Sequence, residues 1–284
     1  MSSSLVRWIR ANGLEFAYLE RGSGPLVLVL HGFPDSAWSF VPVLDALAAA
    51  GFRAVAPFLR GYAPSSIPAD GDYRTVTLAR DVIALIDTFG EQQASLVGHD
   101  WGAAAAYTAA TLRPDRIHRL VAASVPHPRR FLLRMTPKQM RRSRYMGFFQ
   151  WRGAEKIVVR DGFAWLEKLI REWSPGWKFT AEDLAPVKAN FSDPARLSAA
   201  LSYYRALPKS LMEGEAWGLL GQPVKVPARV LYGQSDGCIG AEMYSGMEHL
   251  FAAGLELTPM PNGHFLHCEA PEAFAKHVIE FLKA

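Results

Sequence analysis

In the first half of the chain, short apolar runs alternate with stretches of helical period. LEFAYLE (14–20) and PLVLVL (25–30) read as strands, the second apolar throughout, as a strand buried on both faces must be. A helical stretch from about Ala37 to Ala50 follows, then a strand at FRAVAP (52–57), a helix through ARDVIALIDTF (79–89) and a strand at ASLVG (94–98). A helix from Trp101 through AAAAYTAATL leads to another buried strand at HRLVAASVP (118–126). This β-α-β rhythm predicts a parallel sheet with helices on both faces.

The rhythm then stops. Residues 128–221 are helical in pattern, rich in Arg and Trp, and carry no clear strand. It returns with ARVLYG (228–233), a helix near 241–252, a strand at LELTPM (255–260) and a closing helix in APEAFAKHVIEFLKA. The expected organisation is a core formed by residues 1–127 and 222–284, with 128–221 inserted as a helical cap. The chain shows no internal repeat and no low-complexity tract.

Composition narrows the class without naming a chemistry. A chain of 284 residues, half hydrophobic and one fifth charged, can bury a large core. The opening MSSSLVRWIRANG lacks an apolar leader segment, and no stretch approaches the roughly 18 apolar residues of a membrane span. A cytoplasmic protein without a membrane span is the expectation. Cys238 and Cys268 are too few for a disulfide framework and read as reduced thiols. The net charge of +4 is small for this length and argues against a nucleic-acid partner. Much of it gathers in RRFLLRMTPKQMRRSR (129–144), read first as a solvated face and second as a patch for an anionic surface.

The candidate chemistry starts at SLVGHDWGAAAAY. Gly98-His99-Asp100-Trp101-Gly102 lies between a buried strand and an alanine-rich helix, the setting of a nucleophile elbow, with Asp100 where such elbows commonly place Ser. A carboxylate attacking an acyl carbon would form an anhydride, whereas at a saturated carbon it forms an ester that water can hydrolyse. The substrate should therefore carry an electrophilic saturated carbon, as epoxides and alkyl halides do. The plainer alternative is that Asp100 only caps the helix after it.

Two partners follow in the order expected of a catalytic triad on a parallel sheet. Asp236 lies in VLYGQSDG just past one strand, and His264 lies in PNGHFLHCEAPE just past the next. His267 is the rival base, and His264 is preferred because it comes first after its strand, in a Gly-His turn. An oxyanion on Asp100 would need backbone donors, for which the N–H groups of Phe33, in His31-Gly32-Phe33-Pro34, and of Trp101 are the candidates.

Together HGFP, LRGYAPSS (59–66), GHDWG, the later Asp and the Gly-His-Phe turn resemble the epoxide hydrolases of the α/β-hydrolase superfamily, over essentially the whole chain. The resemblance implies a mostly parallel central sheet flanked by helices, a helical cap, and two cap tyrosines that hydrogen-bond the epoxide oxygen. By motif these are Tyr145 in SRYMGFFQ and Tyr204 in LSYYRAL, with Tyr203 a packing residue. Haloalkane dehalogenases share the Asp, Trp, acid and histidine, but Phe33 stands where they commonly carry a halide-binding Asn. Trp101 and one of Trp151, Trp165, Trp173 and Trp177 would have to bind the halide instead. Fluoroacetate dehalogenases typically place Arg where Trp101 stands. A binding protein on the same scaffold would be marked by a lost triad member, and none is lost. With no P-loop and no dinucleotide fingerprint, the sequence calls for no cofactor or metal. The expected partners are a small apolar epoxide and water, with the protein a monomer or homodimer.

Overall fold

The structure, a computed structural model, describes residues 6–284. Residues 1–5 of the opening stretch, judged too polar for a leader, lie outside the described residues. Eight strands form one sheet in the order β1-β2-β4-β3-β5-β6-β7-β8. They are β1 (Val6–Ala11), β2 (Leu14–Arg21), β3 (Leu26–Leu30), β4 (Arg53–Pro57), β5 (Ala94–His99), β6 (Ile117–Ala123), β7 (Ala228–Gly233) and β8 (Leu255–Met260). β1 and β2 pair antiparallel, as do β2 and β4, and all later pairs are parallel.

The two-residue period of the parallel strands divides their side chains between two cores. Leu26, Leu28 and Leu30 of β3 face one apolar cluster, while Val27 and Val29 face the other. β5 and β6 divide the same way, with Leu96 and Leu120 on the first side and Val97 and Val121 on the second. All five β3 side chains are buried, and each such residue contributes about 1.5–3 kcal/mol relative to exposure.

Helices α1 (Val41–Ala49), α2 (Thr75–Thr88) and α3 (Trp101–Leu112) connect the first strands. Between β6 and β7 the chain contains eight helices and no strand. These are α4 (Pro128–Leu133), α5 (Pro137–Arg142), α6 (Arg144–Gln150), α7 (Ala154–Trp173), α8 (Ala181–Phe191), α9 (Pro194–Arg205), α10 (Leu207–Leu211) and α11 (Gly214–Gly221). α7 is kinked at Arg160–Phe163, where Asp161, Gly162 and Phe163 take positive φ. α12 (Leu266–Glu269) and α13 (Pro271–Lys283) close the chain. None of the helices among the described residues is long and apolar enough to cross a membrane.

Two expectations change. β1 was not anticipated, because Arg7, Trp8 and Arg10 face solvent and only edge pairing with β2 makes VRWIRA a strand. The helix expected near 241–252 is two 3-10 turns, Ala241–Met243 and Glu248–Leu250, separated by Gly246 at φ +73°. That backbone conformation is incompatible with a continuing right-handed helix.

Part of the basic segment is tied to the loop after β7. Arg130 donates to the carbonyls of Glu242 and Ser245, and Arg142 pairs with Glu242 at 3.2 Å. LRGYAPSS is anchored by a buried pair, the Arg60 guanidinium donating to both oxygens of Asp81 at 2.5 and 2.6 Å.

Candidate active site

The loops after β3, β5, β7 and β8 meet at the carboxyl edge of the sheet, where open parallel sheets gather their functional groups. Asp100 sits on the turn from β5 into α3 with φ +52° and ψ −119°, a conformation few non-glycine residues adopt. Its carboxylate makes no capping bond to α3, so helix capping does not account for it. The turn is closed by glycines. A Cβ at Gly98 would lie 2.4 Å from the Gly102 carbonyl oxygen, and one at Gly102 would lie 2.2 Å from that of Leu30. At Gly32 a Cβ would strike the Asp100 side chain itself at 2.4 Å.

Asp100 Oδ1 accepts the Phe33 N–H at 2.7 Å. The backbone N–H of Trp101, the second expected donor, forms no hydrogen bond to the carboxylate among the described contacts, although the Trp101 ring packs edge-on to Tyr204 at 5.1 Å. Asp100 Oδ2 faces His264 Nε2 at 3.6 Å. On the other edge of the imidazole, His264 Nδ1 bonds Asp236 Oδ2 at 2.9 Å. Asp236 Oδ1 accepts the N–H groups of Cys238 at 2.6 Å and Ile239 at 2.9 Å, which fixes the acid's orientation. Asp100, Asp236 and His264, distant in sequence, are thus in one line.

The environment sets the proton on His264. Burial pushes its pKa down, but the Asp236 and Asp100 carboxylates outweigh burial and hold it up at about 10. Its position between the two carboxylates thus favours the protonated imidazole.

Tyr145 and Tyr204 meet edge to face, 5.7 Å between ring centroids, and line the same cavity as Asp100. Its volume is about 140 Å³, with Trp101, Met146, Leu207 and Ile239 among its largely apolar walls. Among the described residues the Tyr204 hydroxyl is buried without a hydrogen-bond partner, and that of Tyr145 has only Cys238 Sγ at 3.5 Å. Burial, with Asp100 nearby, pushes both phenols well above their ordinary pKa, so they remain protonated donors. Tyr203 turns away, its hydroxyl donating to the Arg60 carbonyl at 2.8 Å, as expected of a packing residue.

His267 does not reach Asp100 by any hydrogen bond. Its Nε2 bonds Asp35 Oδ2 at 2.9 Å, and its ring stacks on Phe40 at 4.0 Å. This belongs to a buried layer that the sequence reading missed, made of His31, Asp35, His99 and Ser124. His31 Nε2 accepts the Leu59 N–H at 3.0 Å while its Nδ1 bonds the Gly32 carbonyl at 3.0 Å, which holds the HGFP loop in place. The only sequence signal was the run His31-Gly32-Phe33-Pro34-Asp35, which sets a second acid beside the loop. Two groups bring metal-capable donors within 4.8 Å of one another, Asp35 with His99 and His267, and Asp236 with Cys238 and His264. In each an acid–imidazole pair at 2.9 Å already uses donors that a cation would need.

This combination, a strained carboxylate elbow on a parallel sheet with acid and histidine on the later loops, defines the α/β-hydrolase class. Residues 25–271 match the family described as alpha/beta hydrolase fold, and the chain belongs to that family. It is 32% identical to the AB hydrolase superfamily protein YfhM of Bacillus subtilis, over 100% of this chain and 99% of that protein. It is 30% identical to an epoxide hydrolase of Caballeronia sordidicola, over 97% of this chain and 92% of that one. The crystal structure of Bacillus megaterium epoxide hydrolase in complex with an inhibitor superposes with a TM-score of 0.85, at 28% identity, covering 98% of this chain and 100% of that chain.

Proposed function

We propose that this protein is an epoxide hydrolase that opens an epoxide to a vicinal diol through a covalent ester on Asp100. The observation that supports this reading best is the pair of buried tyrosine hydroxyls, Tyr145 and Tyr204, in the wall of the cavity that also contains Asp100. A ring-opening alkoxide stays attached to carbon and needs a proton donor, which protonated phenols supply.

In the first step Asp100 Oδ2 attacks a ring carbon, one epoxide C–O bond breaks, and the alkoxide takes a proton from Tyr145 or Tyr204. The ester carries no charge, so Asp100 no longer helps hold His264 cationic. The imidazolium loses its proton, which makes good the one given by the tyrosine. In the second step neutral His264, oriented by Asp236, takes a proton from water as its oxygen attacks the Asp100 carboxyl carbon. The Phe33 N–H, with that of Trp101, stabilises the oxyanion. The bond from that carbon to the substrate oxygen breaks, the departing oxygen takes the proton from His264, and the diol leaves. Asp100, left as a carboxylic acid, returns its proton to His264 and restores the resting pair.

Residues 128–221 act in this scheme as a cap over the carboxyl edge of the sheet, completing a core of 1–127 and 222–284. The substrate is a small apolar epoxide, in keeping with the cavity walls, and the setting is cytoplasmic, with the two cysteines as thiols. The halide reading is disfavoured by position: of Trp151, Trp165, Trp173 and Trp177, none lines the cavity with Asp100. The direct test is diol formation from a simple aryl epoxide and halide release from a simple bromoalkane, using wild type and Asp100→Ala. Diol from wild type alone is expected, and bromide release without diol would move the chain to the dehalogenases.

A further inference from the structure

The helical segment is bonded directly to the loops that bear the acid and the base. α7 ends at Trp173, and its single carbonyl oxygen accepts two N–H groups, from Gly237 at 3.0 Å and His264 at 3.1 Å. Ser174 Oγ accepts the Phe265 N–H at 3.0 Å and donates to Glu269 Oε1 at 2.7 Å. The Glu269 carboxylate also accepts the Gly263 N–H, at 2.9 and 3.1 Å. Three consecutive backbone donors, Gly263 to Phe265, are therefore held by Trp173, Ser174 and Glu269. The contact has no slack, since a Cβ at Gly263 would lie 2.4 Å from Ser174 Cα.

None of these bonds reaches Asp100, whose place is set by the β5–α3 turn. We propose that Ser174 and Glu269 are positioning residues for His264, acting selectively on the hydrolysis of the Asp100 ester and not on ring opening. The proposal rests on the two-step reading above. Its physical basis is that general-base attack by water needs the imidazole aligned with both water and carboxyl carbon, and a misplacement of about 1 Å costs about 100-fold in rate. Ring opening needs the carboxylate and the tyrosines; the Trp173 ring packs against Tyr145 at 4.8 Å, but neither Ser174 nor Glu269, the two residues tested, hydrogen-bonds Asp100, Tyr145 or Tyr204.

The test is a single turnover of a simple aryl epoxide with excess enzyme, quenched in acid and followed by intact-protein mass. His264→Gln is the control and should trap an adduct of the epoxide's mass. In Ser174→Ala and Glu269→Gln the adduct should form within about 3-fold of the wild-type rate and decay about 10- to 100-fold more slowly. Ser174→Thr, which keeps the hydroxyl, should restore much of the decay rate. Unchanged decay, or formation and decay falling together, would overturn the positioning role. Absence of an adduct even in His264→Gln would instead overturn the covalent reading on which it rests.

Discussion

Asp100 Oδ2 and His264 Nε2 face each other across 3.6 Å, beyond a hydrogen bond yet close enough for each to feel the other's charge. His264 Nε2 has no hydrogen-bond partner among the described residues, while its Nδ1 is held by Asp236. In the proposed cycle such a gap leaves the carboxylate free to attack, and the imidazole positioned for a water once the carboxylate has become an ester.

Asp100→Asn keeps a side chain that tolerates positive φ and keeps an oxygen for the Phe33 N–H, so the fold should survive. Turnover should fall by about 10⁴-fold or more, the scale on which removal of a triad member acts. Circular dichroism with a diol assay checks both halves, and substantial activity in a freshly purified variant would count against the proposed nucleophile.

The charge on His264 gives stability a direction with pH. Its pKa is raised from the ordinary 6.5 to about 10. Stabilisation from the imidazolium is fully present below about 6.5 and is lost as pH rises through about 10. Wild type should therefore lose melting temperature across this window relative to His264→Gln. Parallel curves for the two proteins would show that the ring is not held cationic.

The two histidines of PNGHFLHCEAPE should separate cleanly. His264→Gln should fold and stop after the first step. His267→Gln removes the imidazole from Asp35, which keeps only the Ser36 N–H and the Ser39 hydroxyl, and should cost about 1–3 kcal/mol of stability while the folded fraction still turns over. Urea titration combined with activity per folded molecule distinguishes the two.

Tyr204→Phe and Tyr145→Phe should each slow ring opening, and the double variant should lose it nearly completely, because either hydroxyl can hydrogen-bond the same oxygen. Removal of a general acid costs about 10²- to 10⁴-fold, the upper part of that range being expected only for the double variant. Adduct formation in the His264→Gln background is the readout, and an unaffected rate in the double variant would remove the tyrosines from the mechanism.

Gly32→Ala tests the packing behind the elbow. The new Cβ would lie 2.4 Å from Asp100 Cβ and Oδ1, so the carboxylate must shift, and a loss of about 100-fold in kcat is expected with the protein still folded.

Much of this was legible in the sequence because its signals are local. β3 is apolar at every position since both its faces are buried, and GHDWG announces a turn by its own glycines. Asp236 and His264 could be placed because each directly follows a readable strand. The supporting layer was not legible, since it joins residues with no spacing relationship. His99 Nε2 and Ser124 Oγ both bond the His264 carbonyl, across 165 and 140 residues of chain. His267 meets Asp35 across 232 residues. β1 was hidden for a different reason, its exposed arginines reading as loop until β2 supplies the pairing.

The central claim, a covalent ester on Asp100, is tested most directly by one turnover of an epoxide in ¹⁸O-water with enzyme in excess. The proposed cycle predicts that the first diol is essentially unlabelled and that the heavy oxygen appears in the Asp100 carboxylate. Full label in the first diol, with none in Asp100, would mean direct attack by water and would contradict it.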